Sequence, residues 1–129
     1  MTPPGSDRHP FRFRPENRLR RKQDIERALR TGRRWTTSHL VVRLLHKTDS
    51  NEPPRLGLAI SRKVGNSVVR NRVRRRIREA FRLSLPRIAP GWDLVVSAKP
   101  EAAASTFQQL QAELHEALGR FHAWAVSSD

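Results

Sequence analysis

The chain has 129 residues, enough for one domain with a modest core, and carries 26 Lys and Arg against 12 Asp and Glu, a formal net charge of +14. It has no cysteine, which excludes disulfides and thiolate zinc sites. No apolar run reaches the length of a membrane span and the opening residues lack the apolar segment of a signal peptide, so a cytoplasmic location and no membrane partner are expected.

Of the 26 basic residues, 22 are arginine. The planar arginine fork matches phosphate oxygens and stacks on bases, so the charge points to nucleic acid. A cationic helix on a membrane surface would instead carry a Trp- and Leu-rich apolar face.

Residues 1–16, "MTPPGSDRHPFRFRPE", hold four of the nine prolines and no helical or strand period, and read as a flexible basic arm. Residues 17–125 read as a single nucleic-acid-binding domain and 126–129 as a short tail. A first helix is expected over Lys22–Thr31, with Ile25, Ala28 and Leu29 on one face and Gly32 as its stop. A short extra strand can follow at Arg33–Thr36. "SHLVVRLLHK" alternates as a strand, with Leu40, Val42 and Leu44 on one side and Val41, Arg43 and Leu45 on the other. The turn-rich "TDSNEPP" is a loop. "RLGLAISRK" reads as the next strand, with Leu56, Leu58 and Ile60 on one face and Gly57, Ala59, Ser61 and Lys63 on the other. That small-residue face suits either a covering helix or the close approach of a bulky polyanion.

"VGNS" breaks the strand, with Asn66 or Ser67 as N-cap of a helix that runs to about Leu85 and stops before Pro86. Val69, Val73, Ile77, Ala80 and Phe81 form its apolar stripe. Arg72, Arg75, Arg78 and Arg82 project opposite, and Arg70 and Arg76 flank the stripe. "WDLVVSA" is a further strand. The last helix starts at a capping box, Ser105 with Gln108, and buries Phe107, Leu110, Leu114, Leu118 and Phe121.

Nothing in this order supplies protein-borne chemistry. Asp24 and Glu26 fall on different helix faces, and Glu113 and Glu116 share a face without an acid/base partner. His39 and His46, seven apart on a strand, point to opposite sides, and His115 and His122 lack further ligands for a metal. There is no "GxSxG" and no phosphate-cradling glycine loop. The central helix is different. Residues 62–82 hold nine basic residues and one acid, so +8 of the +14 sits there. A solvated face normally alternates sign at four-residue spacing, whereas Arg74, Arg78 and Arg82 repeat one sign. Such a face costs stability unless a polyanion offsets it.

"SRKVGNSVVRNRVRRRIREAFR" resembles the signature of the bacterial ribonuclease P protein subunit, centred on Arg70, Asn71 and Arg72. "NRLRRKQDIERALRTGRR", "RLGLAISRK" and "WDLVVSAKP" resemble the family's first helix, central strand and C-terminal part, so the likeness spans residues 17–124. It implies an α+β fold, an α-β-β-β-α-β-α sandwich of a kind also found in ribosomal proteins, with a left-handed crossover that pattern alone would not predict. It implies a subunit of a tRNA 5′ endoribonuclease whose catalyst is an RNA with bound Mg2+. The partners are then ribonuclease P RNA and precursor tRNA, with no small-molecule substrate.

Carried over by position, Arg62, Lys63, Arg70, Asn71, Arg72, Arg74, Arg75 and Arg78 contact the catalytic RNA. Ile25, Leu29, Arg33, Arg43, Ala59 and Ser61 form the cleft for the single-stranded 5′ leader. The sequence departs from the family where aromatics are usual at Ile25, Leu29 and Arg43, and where alanine is usual at Ser67. Leader contact is then aliphatic and electrostatic rather than stacked. A ribosomal protein is the alternative of similar size and charge. A double-stranded RNA-binding domain would end at its second helix, a DNA-reading helix would offer more than Asn71 to base edges, and a self-sufficient nuclease would need clustered carboxylates.

Overall fold

The computed structural model describes residues 13–124. The elements run α1 (Lys22–Thr31), β1 (Arg33–Thr36), β2 (Leu40–His46), β3 (Arg55–Ala59), α2 (Ser67–Ser84), β4 (Trp92–Ala98) and α3 (Phe107–Arg120). This is the expected α+β order, short first strand included. The strands form one sheet in the order β1-β2-β4-β3. β2 is antiparallel to β1 and to β4, whereas β3 is parallel to β4. A parallel pair cannot be closed by a hairpin, and α2 makes the crossover.

Period-two alternation sorts the sheet into two faces. Leu40, Val42 and Leu44 are fully buried with Leu94 and Val96 on the face covered by α2 and α3. The α2 stripe fills this core as its spacing predicts: Val73, Ile77, Ala80 and Phe81 are buried and Val69 half-buried. Leu110, Leu114 and Leu118 of α3 close it. Each such side chain contributes about 1.5–3 kcal/mol over an exposed one. On the other face, Leu19, Ala28 and Val95 form a smaller cluster that seats α1, with Ile25 and Leu45 at its margin.

Three boundaries differ from the sequence reading. β3 stops at Ala59, and Arg62–Val64 form a 3-10 turn in which the Ser61 Oγ accepts from the Lys63 N–H. After the chain leaves the extended conformation, both Ile60 and Val64 still reach the core. The last helix is capped by Thr106 and Gln109, one residue later than expected, because Ser105 instead donates to the Ala102 carbonyl. Finally, Phe13 meets the Phe81 ring edge-on at 5.9 Å and Pro15–Asn17 form a 3-10 turn. Phe13, assigned to the arm by composition, thus packs on the core, while residues 14–16 are exposed. Residues 1–12 of the arm, and the tail, lie outside the described residues.

Gly65 joins the 62–64 turn to α2 with φ 154° and ψ −167°, a backbone region essentially confined to glycine. A Cβ there would stand 2.9 Å from the Val69 Cβ. Gly65→Ala is therefore expected to cost about 1–3 kcal/mol, read as a lower urea midpoint at unchanged m-value. An unmoved midpoint would show that the turn tolerates a side chain.

Candidate nucleic-acid interface

The arginines of α2 divide into groups according to what lies beside them. Asn66, rather than Ser67, caps the helix by accepting from the Val69 N–H at 3.0 Å. Arg75 and Arg78 are exposed, and Arg74 is half-buried, braced by the Asn71 carboxamide oxygen at 2.8 Å. Arg62 and Lys63 are exposed on the turn leading into the helix.

Arg72, expected to project opposite the stripe, joins Arg76, expected to flank it, in facing the rest of the protein. At 100° per residue they fall on the flank facing the segment before α3. There Arg76 donates to the Ser105 carbonyl and Arg72 lies 3.4 Å from that of Ala103. Arg82 is held by Glu79. The Nε atoms of Arg70 and Arg72 are buried with no acceptor, an unfavourable arrangement. Burial, and after it the neighbouring Arg18 and Arg74, push the Arg78 guanidinium down from its ordinary value.

On the face that α1 partly covers, the register aligns Thr36, Val41, Ser97 and Ala59 in one row and Arg34, Arg43, Val95 and Gly57 in the next. Ile25 and Leu29 border this groove from α1, and Leu29 is 40 % exposed. Arg43 donates to the Leu29 carbonyl at 3.1 Å and so ties the end of α1 to the sheet. Arg34 stands opposite Arg43, a like-charged cross-strand pair that favours an anion in the groove.

The structure brings Ile25, Leu29, Arg43 and Ala59 together here but not Arg33. One residue of strand register turns Arg33 to the other face, where its guanidinium lies 5.1 Å over the Phe121 ring. Arg34, which the sequence reading passed over, takes its place. Ser61 lies beyond the strand end with its hydroxyl committed to the turn.

The acids and histidines serve the scaffold. Asp93, buried in β4, receives two hydrogen bonds from Arg55 at 2.9 and 2.8 Å and lies 3.5 Å from Lys47; Arg55 also reaches Asp24 of α1. Glu113 accepts from Thr37 and from the backbone and ring of His39. Burial raises its carboxyl, but these bonds outweigh it and hold the group below its usual value. Trp35 donates to Glu116 at 2.8 Å. His115, beside Ser84 and Trp124, is pushed down by burial and then by Arg87. Among the described residues, no group of three or more His, Cys, Asp and Glu could hold a metal ion.

A model of the family Ribonuclease P matches residues 13–122. The ribonuclease P protein component of Cyanothece sp. is 39 % identical over 116 residues, covering 78 % of this chain and 88 % of that one. That of Thermobifida fusca is 42 % identical over 110 residues, covering 81 % and 75 %. The Staphylococcus aureus RNase P protein structure superposes with a TM-score of 0.74 at 28 % identity, covering 84 % of this chain and 98 % of that one. For the Thermotoga maritima RNase P protein, in complex with 1-(4-fluorophenyl)-2-thiourea, the values are 0.70, 27 %, 80 % and 98 %. With a match running from the first described residue almost to the last, and with relatives near 40 % identity over most of their length, the chain belongs to the ribonuclease P protein family.

Proposed function

We propose that the protein is the protein subunit of ribonuclease P, which binds the catalytic RNA and the 5′ leader of precursor tRNA and assists removal of that leader. The observation that carries this reading is α2: a helix of a ribonuclease P family member whose outer cations outnumber the acceptors that the described residues offer them. Arg62, Lys63, Arg70, Asn71, Arg74, Arg75 and Arg78 lie against the catalytic RNA, with Arg72 beside them at the junction to α3. The groove of Ile25, Leu29, Arg34, Arg43 and Ala59 takes the leader by aliphatic contact and charge.

Mature tRNA has no leader, so the groove adds binding energy to substrate and none to product, which favours release. Among the described residues no group of acids and histidines suits a bound Mg2+, and the ion is assigned to the RNA; the arginines lower phosphate repulsion and so reduce the magnesium that the RNA needs. The described residues hold no helix long and apolar enough to cross a membrane, and the protein is proposed to work in the cytoplasm. A basic ribosomal protein would share the charge but not the family.

The test is 5′ cleavage of a precursor tRNA at low magnesium with protein alone, cognate ribonuclease P RNA alone, and both. Cleavage is expected only in the combined reaction. Cleavage by protein alone would place chemistry on the protein, and no enhancement in the mixture would sink the subunit reading.

A further inference from the structure

We propose that the groove where segment 13–20 crosses the free edge of β3 above α2 takes one unstacked nucleotide of the catalytic RNA. Its base lies on an apolar floor and its phosphate between Arg18, Arg74 and Arg78. The proposal rests on the subunit reading above and names the RNA feature that this part of the surface receives.

The groove arises because β3 ends the sheet and its outer edge is covered only in part. Arg18 bridges to Leu56, and the Leu19 N–H donates to the Leu56 carbonyl at 3.0 Å. That cover runs only as far as Leu56, and a depression of about 200 Å³ is left beside Leu58 and the Gly57 backbone. This is small for a drug-sized ligand but sufficient for one base. Leu19, Leu58 and the Phe13 ring give it apolar walls, and Phe13 is steadied by Phe81 beneath.

Four guanidinium-bearing residues surround this apolar floor: Arg18 and Arg20 from the N-terminal segment, Arg74 and Arg78 from α2. Among the described residues no carboxylate lines it. The two neighbouring depressions, by contrast, carry their own counter-charges in Glu16 and Glu52, and in Asp24 and Glu52. Arg18 and Arg20 also line the first of these, but Arg74 and Arg78 line neither and call for an external anion; the burial and repulsion felt by Arg78 fit that need. Arg18 already lies 5.4 Å over the Phe13 ring, which places a flat cation beside the space a base would enter.

The apolar floor selects among anions. A duplex presents only phosphates and would leave the floor empty, whereas a splayed-out nucleotide fills both halves of the site, as unpaired RNA does on aromatic and arginine platforms. Arg74 and Arg78 belong to the helix that faces the catalytic RNA, so the nucleotide comes from that RNA and not from the leader.

The experiment uses the full chain with cognate ribonuclease P RNA and a photo-reactive benzophenone amino acid in place of Arg20. The expected result is a crosslink to one unpaired nucleotide of the catalytic RNA, unmoved when precursor tRNA is added. Arg18→Gln should remove it and weaken RNA binding on the order of tenfold. Arg30→Gln deletes the same charge on the exposed end of α1, outside the groove and outside α2, and should leave the crosslink in place. Leu58→Glu, which puts a carboxylate on the floor, should act like Arg18→Gln, provided its melting curve matches the parent.

Crosslinks scattered along helical RNA, or a crosslink that shifts to the leader when substrate is added, would overturn the proposal and leave the subunit reading standing. Failure of the unsubstituted protein to bind the RNA at all would instead overturn both.

Discussion

Asp93→Ala is expected to destabilise the fold by about 3–5 kcal/mol, the range for breaking a buried ion pair from one side. The Asp93 side chain is 1 % exposed and anchors the Arg55 guanidinium through two bonds, with Lys47 at 3.5 Å. Removing it leaves Arg55, whose charged form this pair favours, half-buried with only Asp24 at 3.4 Å. Lys47 keeps Glu52. Since small domains hold about 5–15 kcal/mol in all, the variant should unfold at a much lower urea concentration. The comparison that tests the cause is Arg55→Met with Asp93→Leu. Replacing both charges by apolar groups removes the stranded cation, so the double variant should recover most of the loss. If it is as unstable as Asp93→Ala, packing around β4 rather than the ion pair carries the effect. The network also joins α1, β3 and β4, so Asp93→Ala should loosen the α1 side of the groove proposed for the leader.

Those partners show where sequence reading stops. The apolar periods of β2 and α2 are written in contiguous residues, and the structure follows them closely. Asp93 stands out in "WDLVVSA" only as a charge within an apolar run. Its partners come from positions 24, 47 and 55, which nothing local connects to it. Glu113 and Glu116 likewise read as a pair of acids without work, because Thr37, His39 and Trp35 lie more than seventy positions away. The alternation signal was overextended at "AISRK". Two apolar residues four apart, Ile60 and Val64, fit a 3-10 turn as well as a strand, and only tertiary packing decides.

The site was legible in composition and less so in direction. That α2 presents an arginine face in want of a counter-charge follows from one sign repeated at four-residue spacing. Which arginines are free does not, because Arg72 and Arg76 are claimed by carbonyls that end a turn thirty residues on. Arg33 and Arg34 illustrate the same limit on the sheet: with two adjacent arginines on a four-residue strand, the face each takes depends on register with β2. The groove beside Leu58 needed the fold as well, since Arg18 and Arg78 meet only when segment 13–20 crosses the edge of β3.

That division of the arginines leads to an expected result in solution. On the proposed interface Arg62, Lys63, Arg70, Arg74, Arg75 and Arg78 face RNA phosphates, so log affinity for the catalytic RNA should fall with log salt at a slope of roughly −4 to −5. Replacing Arg74, Arg75 and Arg78 together by Gln should shrink the slope by about 2–3 and weaken binding on the order of a hundredfold near physiological salt. Stability should hold or rise, because like charges at four-residue spacing repel in the free protein. Arg76→Gln removes one of the same charges from the flank facing α3. It should instead cost about 1.5–3 kcal/mol of stability, since its bond to the Ser105 carbonyl is lost, with the slope nearly unmoved. Filter binding across a salt series, beside urea melts of each variant, separates the two. A triple variant that keeps the parent slope would mean that the outer face of α2 does not lie on RNA. A change of slope in Arg76→Gln as large as that per residue in the triple variant would mean that the bond to Ser105 opens on binding.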